Sequence, residues 1–360
     1  MELEEIISRK KVLFISFSDH EYLRNKQEIE IIKKYSLETT IITANKGQKI
    51  TPINIGKILL VYFKTFFYLC KSYDIIFIGG LPQILLPCIH PFIKNKIIII
   101  DFFISLYDTM IEDRTVVNKQ SLLSYLLMWL DKQTISLADH ILVDTKTHGE
   151  YFKNKLSAPA SKIIILYLKA DTDIYHPKKI KKLQCFQGKF LVFFFGAMNP
   201  VQGVEVILNC AATLIHEQKI VFAFVGPMDK LKYAINKRMP SNVIWLSKWL
   251  PQNIIADLIT MSDLCLAGHF SSEVPKAKRV IPGKAFTYLA MNKKTILGDN
   301  DANREFFSET NNNIIFVKMG DHEALKKTIL NSYHEFLRKN SVDLDADNTF
   351  LNNHEISNGI

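Results

Sequence analysis

The chain has 360 residues, 48% hydrophobic and 22% charged, with a formal net charge of +9. That length exceeds what one hydrophobic core usually supports, so two domains are expected, and the composition is that of a soluble globular enzyme. Its five cysteines are scattered with no Cys-x-x-Cys pair, which argues against a disulfide framework and for buried, reduced thiols.

The predicted elements of the first half alternate between apolar strands and amphipathic helices. Val12–Phe17 is a β-branched and aromatic strand, and Glu21–Tyr35 a helix with Leu23, Ile29 and Ile32 on its repeat. Thr40–Thr43 is a strand and Ile55–Tyr73 a long helix, apolar nearly all round. Burial in the core is the expected placement of that helix, with a membrane surface as the alternative. Ile75–Ile93 carries no formal charge and has the length of a membrane span, but Gly79-Gly80, Pro82, Pro87 and Pro91 break it into a strand, a turn and a broken helix. Strands follow at Ile97–Ile100, His140–Val143 and Ile163–Leu166, with helices at Ser121–Leu137 and Thr147–Leu156. Continuous apolar strands between helices predict a parallel sheet covered on both faces.

Tyr175-His176-Pro177 and the lysines after it read as a solvated linker. The pattern then restarts. Strands are expected at Phe190–Phe195, Ile220–Val225, Val243–Leu246, Leu264–Ala267, Thr295–Leu297 and Ile314–Val317. Helices are expected at Gly203–His216, Lys230–Arg238, Asn253–Met261, Lys284–Met291 and His322–Arg338. The fold class is α/β, with two doubly wound parallel-sheet domains, 1–175 and 176–340, and a polar tail, 341–360, that frays. In such folds ligands bind beyond the carboxyl ends of the strands, so two halves facing one another would make a cleft.

One stretch points to chemistry. In Arg279–Gly298 a loop carrying Arg279 leads to Pro282 and a helix start flanked by Lys284. Free N–H groups at a helix start, with cations beside them, suit a phosphate. No His-x-x-x-His or Asp-x-Asp spacing falls in a place suited to a metal.

Several motifs fall in a recognisable order around that stretch. They are the strand–Gly196…Gly203–helix, the strand–Gly226-Pro227, Trp249-Leu-Pro251, Ser262-Asp263, and Pro282-Gly-Lys284 with Tyr288-Leu-Ala-Met-Asn-Lys-Lys-Thr-Ile-Leu-Gly298. This set resembles the nucleotide-sugar half of GT-B-fold glycosyltransferases of family 4. Arg24-Asn25, Asp101…Asp108 and Asp144-Thr-Lys-Thr-His148 resemble first-half elements of a bacterial subset of that family.

The resemblance implies a retaining, metal-independent hexosyltransferase of bacterial surface-polysaccharide type. It would need no cofactor beyond its co-substrate, a nucleotide-diphosphate sugar. The acceptor would be a saccharide or lipid-linked saccharide. The protein would be cytoplasmic, in peripheral contact with the inner, anionic face of the cytoplasmic membrane. The resemblance also has gaps. Ala197 and Gln202 stand where many members have Arg and Lys, and Arg279 and Thr287 stand where many have glutamates, so a ribose-binding carboxylate at Thr287 is excluded.

Departure of a nucleoside diphosphate develops negative charge that preorganised cations or N–H groups must meet. Arg279 and Lys284 with Gly196 are the candidate diphosphate ligands, replacing the missing basic pair. His269, Glu273, Gly226 and Glu305 are candidates for the donor sugar and nucleotide, and Arg24, Asn25 and Ser105 for the acceptor. Asp101, Asp108 and His148 are the candidate catalytic groups, able to orient or deprotonate an acceptor hydroxyl, with loop or capping hydrogen bonds as the alternative for each. Asp113 and Arg114 are further acceptor-side candidates. A sugar-phosphate epimerase, a non-catalytic sugar-binding protein and a nucleic-acid-binding module are the competing readings. No nucleic acid is expected, because the aromatics fall mainly in apolar strands.

Overall fold

In a computed structural model the chain is described over residues 2–44, 55–69, 71–228, 239–308 and 310–356. It divides into two compact units. The first comprises Met1–Asp171 with Val274–Gly283 and Asn300–Phe306. The second comprises Thr172–Glu273, Lys284–Asp299 and Phe307–Ile360. Two short pieces of the second half of the sequence thus belong to the first unit.

The first unit is built on β1 (Lys11–Asp19), β2 (Glu38–Ala44), β3 (Ile75–Gly79), β4 (Ile97–Asp101), β5 (His140–Val143) and β6 (Ile163–Ile165). Their order is β2-β1-β3-β4-β5-β6, all parallel. Helices α1 (Leu3–Ile7) and α2 (Leu23–Tyr35) cover one face through Ile7, Ile29 and Ile32, against Val12, Phe14 and Phe77. Helices α3 (Ile55–Leu69), α4 (Pro82–Ile93), α5 (Leu122–Leu137) and α6 (Lys146–Leu156) cover the other, through residues such as Val61, Leu85, Ile135 and Phe152. Burial on both faces is what the unbroken runs of isoleucine in β3 and β4 require. One turn of π-helix, Asp108–Asp113, has no counterpart in the sequence reading.

The second unit is built on β7 (Phe190–Phe195), β8 (Ile220–Val225), β9 (Val243–Leu246), β10 (Leu264–Gly268), β11 (Thr295–Gly298) and β12 (Ile314–Val317). The order β12-β11-β10-β7-β8-β9 is again all parallel and reverses direction between β7 and β10. Its helices are α7 (Val204–Thr213), α8 (Gln252–Met261), α9 (Gly283–Ala290, in this unit from Lys284) and, after the short α10 (Asp301–Phe306) that belongs to the first unit, α11 (His322–Ile356). A cluster of Phe190, Val192, Phe194, Phe222 and Phe224 with Ile207, Leu208 and Ile329 forms its core. Each such side chain, fully buried, contributes about 1.5–3 kcal/mol.

Several expectations change. The last helix runs to Ile356 rather than stopping at Arg338 before a frayed tail. Cys88 and Cys185 are exposed, while Cys210 and Cys265 are buried. Helix α3 is buried on one side only: Val61 and Thr65 are in the interior, but Phe63 is 74% exposed and Phe67 66%. No helix among the described residues is long and apolar enough to cross a membrane. The helix expected at Lys230–Arg238, and Cys70, lie outside the described residues.

Candidate functional site

In the second unit the strand order reverses at β7 and β10, so a ligand belongs beyond the carboxyl ends of those two strands. Gly196 follows β7 directly, with φ +142°, and Gly226 follows β8, with φ +140°; both values favour glycine. A Cβ at Gly226 would collide with the Gly196 carbonyl oxygen, so the two turns can approach only because Gly226 carries no side chain. Trp245 Nε1 donates to the Gly226 carbonyl at 2.8 Å and fixes the second turn.

Lys284, in the first turn of α9, reaches this place. A Cβ at Gly196 would lie 3.4 Å from Lys284 Nζ. The ammonium donates to Gln202 Oε1 and lies 4.3 Å from the centre of the Phe194 ring. Lys284 is 8% exposed. Burial pushes its ammonium down to about 7, and the Phe194 ring face is a partial counterweight favouring the charged form. Among the described residues no acidic side chain pairs with it. A buried cation whose hydrogen bond goes to a neutral amide is a site for an incoming anion. Gln202 is thus the residue Lys284 leans on.

His269, just after β10, is buried at 5% exposure, and its carbonyl oxygen lies where a Cβ on Gly298 would fall. Glu273 is exposed. Gly196, Gly226, His269 and Lys284 therefore all belong to the carboxyl-end rim of the second sheet. Thr287 is buried one turn after Lys284, and no carboxylate stands at that position.

Arg279 lies in the first unit, where its Nη2 donates to Asp108 Oδ1 at 2.5 Å and to Glu112 Oε2 at 3.0 Å. Its guanidinium stacks 3.8 Å from the centre of the Tyr151 ring. Lys276 Nζ lies 3.1 Å from Asp108 Oδ2. Thr145 Oγ1 donates to the Arg279 carbonyl at 2.5 Å and accepts from His148 N at 2.9 Å, capping α6. His148 is fully buried, with Nδ1 2.6 Å from Asp144 Oδ1 and Nε2 3.7 Å from Asp108 Oδ2. Burial alone would raise the Asp108 carboxyl, but Lys276, His148 and Arg279 outweigh it and hold it below the ordinary range. Burial likewise opposes a charged His148, yet Asp144 and Asp108 outweigh it and raise the imidazole. The cluster is a charge-balanced anchor that ties the Val274–Gly283 segment to the start of α6.

Glu305 belongs to the same anchor. Its carboxylate accepts from Lys146 N at 2.7 Å, Thr147 N at 3.0 Å and Thr147 Oγ1 at 2.7 Å, capping α6 from α10. The sequence placed Glu305 at the donor; the structure places it in the first unit.

The acceptor-side candidates are also engaged internally. Arg24 is 1% exposed; its Nη2 donates to Asp101 Oδ1 at 3.1 Å, and its Nη1 donates to the Leu166 carbonyl. Its Nε lies 3.2 Å from Glu28. Burial, with Asp101 adding to it, raises the Glu28 carboxyl well above its ordinary value against the opposing pull of Arg24. Asn25 Nδ2 donates to Ser16 Oγ at 3.1 Å and to the Asp19 carbonyl at 2.8 Å, which pins the loop after β1. Ser105 Oγ donates to Asp131 Oδ2 at 2.6 Å and accepts from Asp108 N at 3.0 Å. Glu28, Glu112, Asp131, Tyr151 and Lys276 were not singled out from the sequence. Only Glu28, one helical turn from Arg24, left a local signal.

Among the described residues no three His, Cys, Asp or Glu side chains converge as metal ligands.

Residues 189–335 match the family model described as glycosyl transferases group 1. No curated protein matches the chain by sequence. Among solved structures, sucrose-phosphate synthase from Thermosynechococcus elongatus aligns with a TM-score of 0.65 at 10% identity, over 89% of each chain. HepE from Anabaena, solved with UDP, aligns at 0.60 with 13% identity over 91% of this chain and 90% of its own. WaaG, a glycosyltransferase involved in lipopolysaccharide biosynthesis, aligns at 0.58 with 12% identity, over 89% and 90%. These likenesses establish the fold: the two parallel-sheet units have the GT-B architecture. Lys284, Gly196 and Gly226 all lie within the stretch that matches the group 1 model.

Proposed function

We propose that the protein transfers a hexosyl group from a nucleotide-diphosphate sugar to a saccharide or lipid-linked saccharide acceptor. The reaction proceeds with retention, without a metal, in the cytoplasm, as a step in cell-surface polysaccharide or glycoconjugate synthesis. The observation that carries this reading is Lys284. It is a buried ammonium without an acidic partner among the described residues, held against the Gly196 turn of the stretch that matches the group 1 model. HepE, a similar structure, binds UDP.

In this reading the diphosphate lies along the Gly196 turn, and Lys284 meets the charge that develops on the departing phosphate. A preorganised cation in a site shielded from water stabilises that charge more strongly than one in solvent. Asp108, already paired with Arg279 and Lys276, serves better as an anchor than as a base. That assigns deprotonation of the acceptor to the donor's own phosphate.

Thermal stabilisation and turnover across uridine, guanosine and thymidine diphosphate sugars test the reading. One donor is expected to stabilise the fold and to be consumed at the same rate in EDTA. No response to any of them would overturn the transferase assignment.

A further inference from the structure

Helix α2 begins with a run of polar side chains that are out of the solvent. Arg24, Asn25 and Glu28 are no more than 1% exposed, and Gln27 is buried as well. Three residues of this turn hold residues 166–171, the stretch at which the chain leaves the first unit. Arg24 Nη1 donates to the Leu166 carbonyl, and Gln27 Nε2 to the Tyr167 carbonyl at 2.8 Å. Lys169 N donates to Gln27 Oε1 at 3.2 Å, and Lys26 Nζ to Asp171 Oδ2 at 2.6 Å. Where α2 sits therefore decides where this stretch sits.

The start of α2 is fixed to the end of β4 by a fork. Arg24 Nη2 donates to Asp101 Oδ1 at 3.1 Å, and Arg24 Nε to Asp101 Oδ2 at 3.3 Å. One carboxylate thus already answers the guanidinium. Glu28, one turn further on, is a second carboxyl at the same place. Its Oε1 lies 3.2 Å from Arg24 Nε, whose one hydrogen is directed at Asp101, and neither Glu28 oxygen accepts a hydrogen bond. Its other side is apolar: a Cβ on Gly79 would meet both Glu28 Oε2 and the Phe14 ring. The other titratable groups around the fork bring it no relief. Asp144, after β5, has the same sign and is paired with His148 Nδ1 at 2.6 Å. Tyr22, whose phenol is pushed up to about 12 by burial and by Asp101, stays neutral.

An ionised Glu28 would set two buried carboxylates against one guanidinium, and a buried charge without a partner is costly. A protonated Glu28 removes that charge and gains a donor, with Asp101 within hydrogen-bonding reach. We propose that Glu28 keeps its proton at neutral pH, donates a hydrogen bond to Asp101, and so clasps α2 and the stretch it holds to the end of β4. Two carboxyl groups held in contact commonly share one proton in this way. Burial first, and Asp101 after it, raises the Glu28 carboxyl well above 4.5 against the pull of Arg24. The clasp is therefore sensitive to pH. Above 4.5 the folded chain holds a proton that the unfolded chain has released. The stability this proton contributes is full below that value and is lost as pH rises through the folded value of Glu28. Ionisation then places like charges between α2 and β4, and residues 166–171 lose their hold. The inference stands apart from the transferase reading, because its readouts need neither donor nor acceptor.

The full chain is labelled with glutamate carrying carbon-13 at the side-chain carboxyl and examined by infrared difference. A protonated-carboxyl band is expected at pH 7 in the wild type and not in Glu28→Gln. The glutamine amide can donate to Asp101 but does not titrate. Above pH 4.5 the ratio of the variant's folding constant to that of the wild type should rise about tenfold per pH unit until Glu28 has ionised. Hydrogen exchange at Lys169 N–H, corrected for the intrinsic rate, should lose protection with rising pH in the wild type and keep it in the variant. No protonated band at pH 7, a stability ratio that is flat with pH, or pH-independent protection of Lys169 in the wild type would overturn the proposal. If the variant does not fold, the wild-type band and the Lys169 protection still decide.

Discussion

Arg279 and Lys284 are five positions apart and lie under opposite electrostatic conditions. Arg279, in the first unit, is gripped by Asp108 and Glu112 and stacked on Tyr151. Lys284, in the second, is buried against a glycine turn with a neutral amide as its hydrogen-bond acceptor. A cation paired with carboxylates has its charge answered within the fold and contributes to holding it. A cation buried without one destabilises the fold until an anion arrives, which is the condition of a binding site. Sequence proximity made the two look like one phosphate clamp; their partners separate them into an anchor and a site.

The largest effect that tests this contrast is at Lys284. Lys284→Gln should lower donor turnover by about 10²–10³-fold, the loss typical of one preorganised group facing developing charge, without loss of stability. The pH dependence sharpens it. The folded value of about 7 lies below the ordinary lysine value of 10.5. Between those two values the unfolded chain holds a proton that the folded chain has released. Stability should therefore rise with pH across that window, the cost of the buried charge being full below it. Donor binding restores the charged form, so above pH 7 it takes up a proton, and affinity should fall about tenfold per pH unit. Calorimetry in buffers of different ionisation enthalpy reads that proton directly. In Lys284→Gln both the uptake and the stability slope should vanish. A flat profile in the wild type would mean that the ammonium is already answered by something else.

The next effect is on stability rather than turnover. Arg279→Ala leaves Asp108 and Glu112 without their shared guanidinium. Breaking a buried pair from one side costs about 3–5 kcal/mol, read as a shift in the urea midpoint at constant slope. Donor affinity in the surviving folded protein should stay near wild type. If instead affinity collapses while the midpoint holds, Arg279 is a donor ligand and the contrast fails.

The strands were legible because unbroken β-branched and aromatic runs admit few other structures. Ile97–Ile100 and Phe190–Phe195 announce a doubly covered sheet by composition alone. The glycine turns were legible for a similar reason, since Gly196 and Gly226 follow strand ends. What stayed hidden depends on partners distant in the chain. Asp108 lies 171 positions from Arg279, and nothing local to either residue announces the pairing. Glu305 lies 159 positions from Lys146, which it caps. The outer face of α3 was hidden for another reason. Hydropathy records that Phe63 and Phe67 avoid water; it does not record what covers them, and an interior helix reads the same as one with an exposed apolar face.

The smallest effect tests the boundary between anchor and site. Sequence reasoning assigned Glu305 to the donor; the structure spends its carboxylate on the N–H groups of Lys146 and Thr147. Glu305→Ala should therefore behave as the loss of a helix cap, lowering stability by about 1 kcal/mol. Thr147 loses the partner of its hydroxyl at the same time, so the cost should exceed that of Glu305→Gln, whose side-chain oxygen can still accept one N–H. Neither change should alter the pH dependence of donor binding, because that proton resides on Lys284 in the other unit. If Glu305→Ala weakens the donor while the urea midpoint is unmoved, the cap is incidental and Glu305 contacts the sugar or ribose. The first unit would then supply a donor ligand, and the division of labour between the two units would have to be redrawn around Glu305 rather than Lys284 alone.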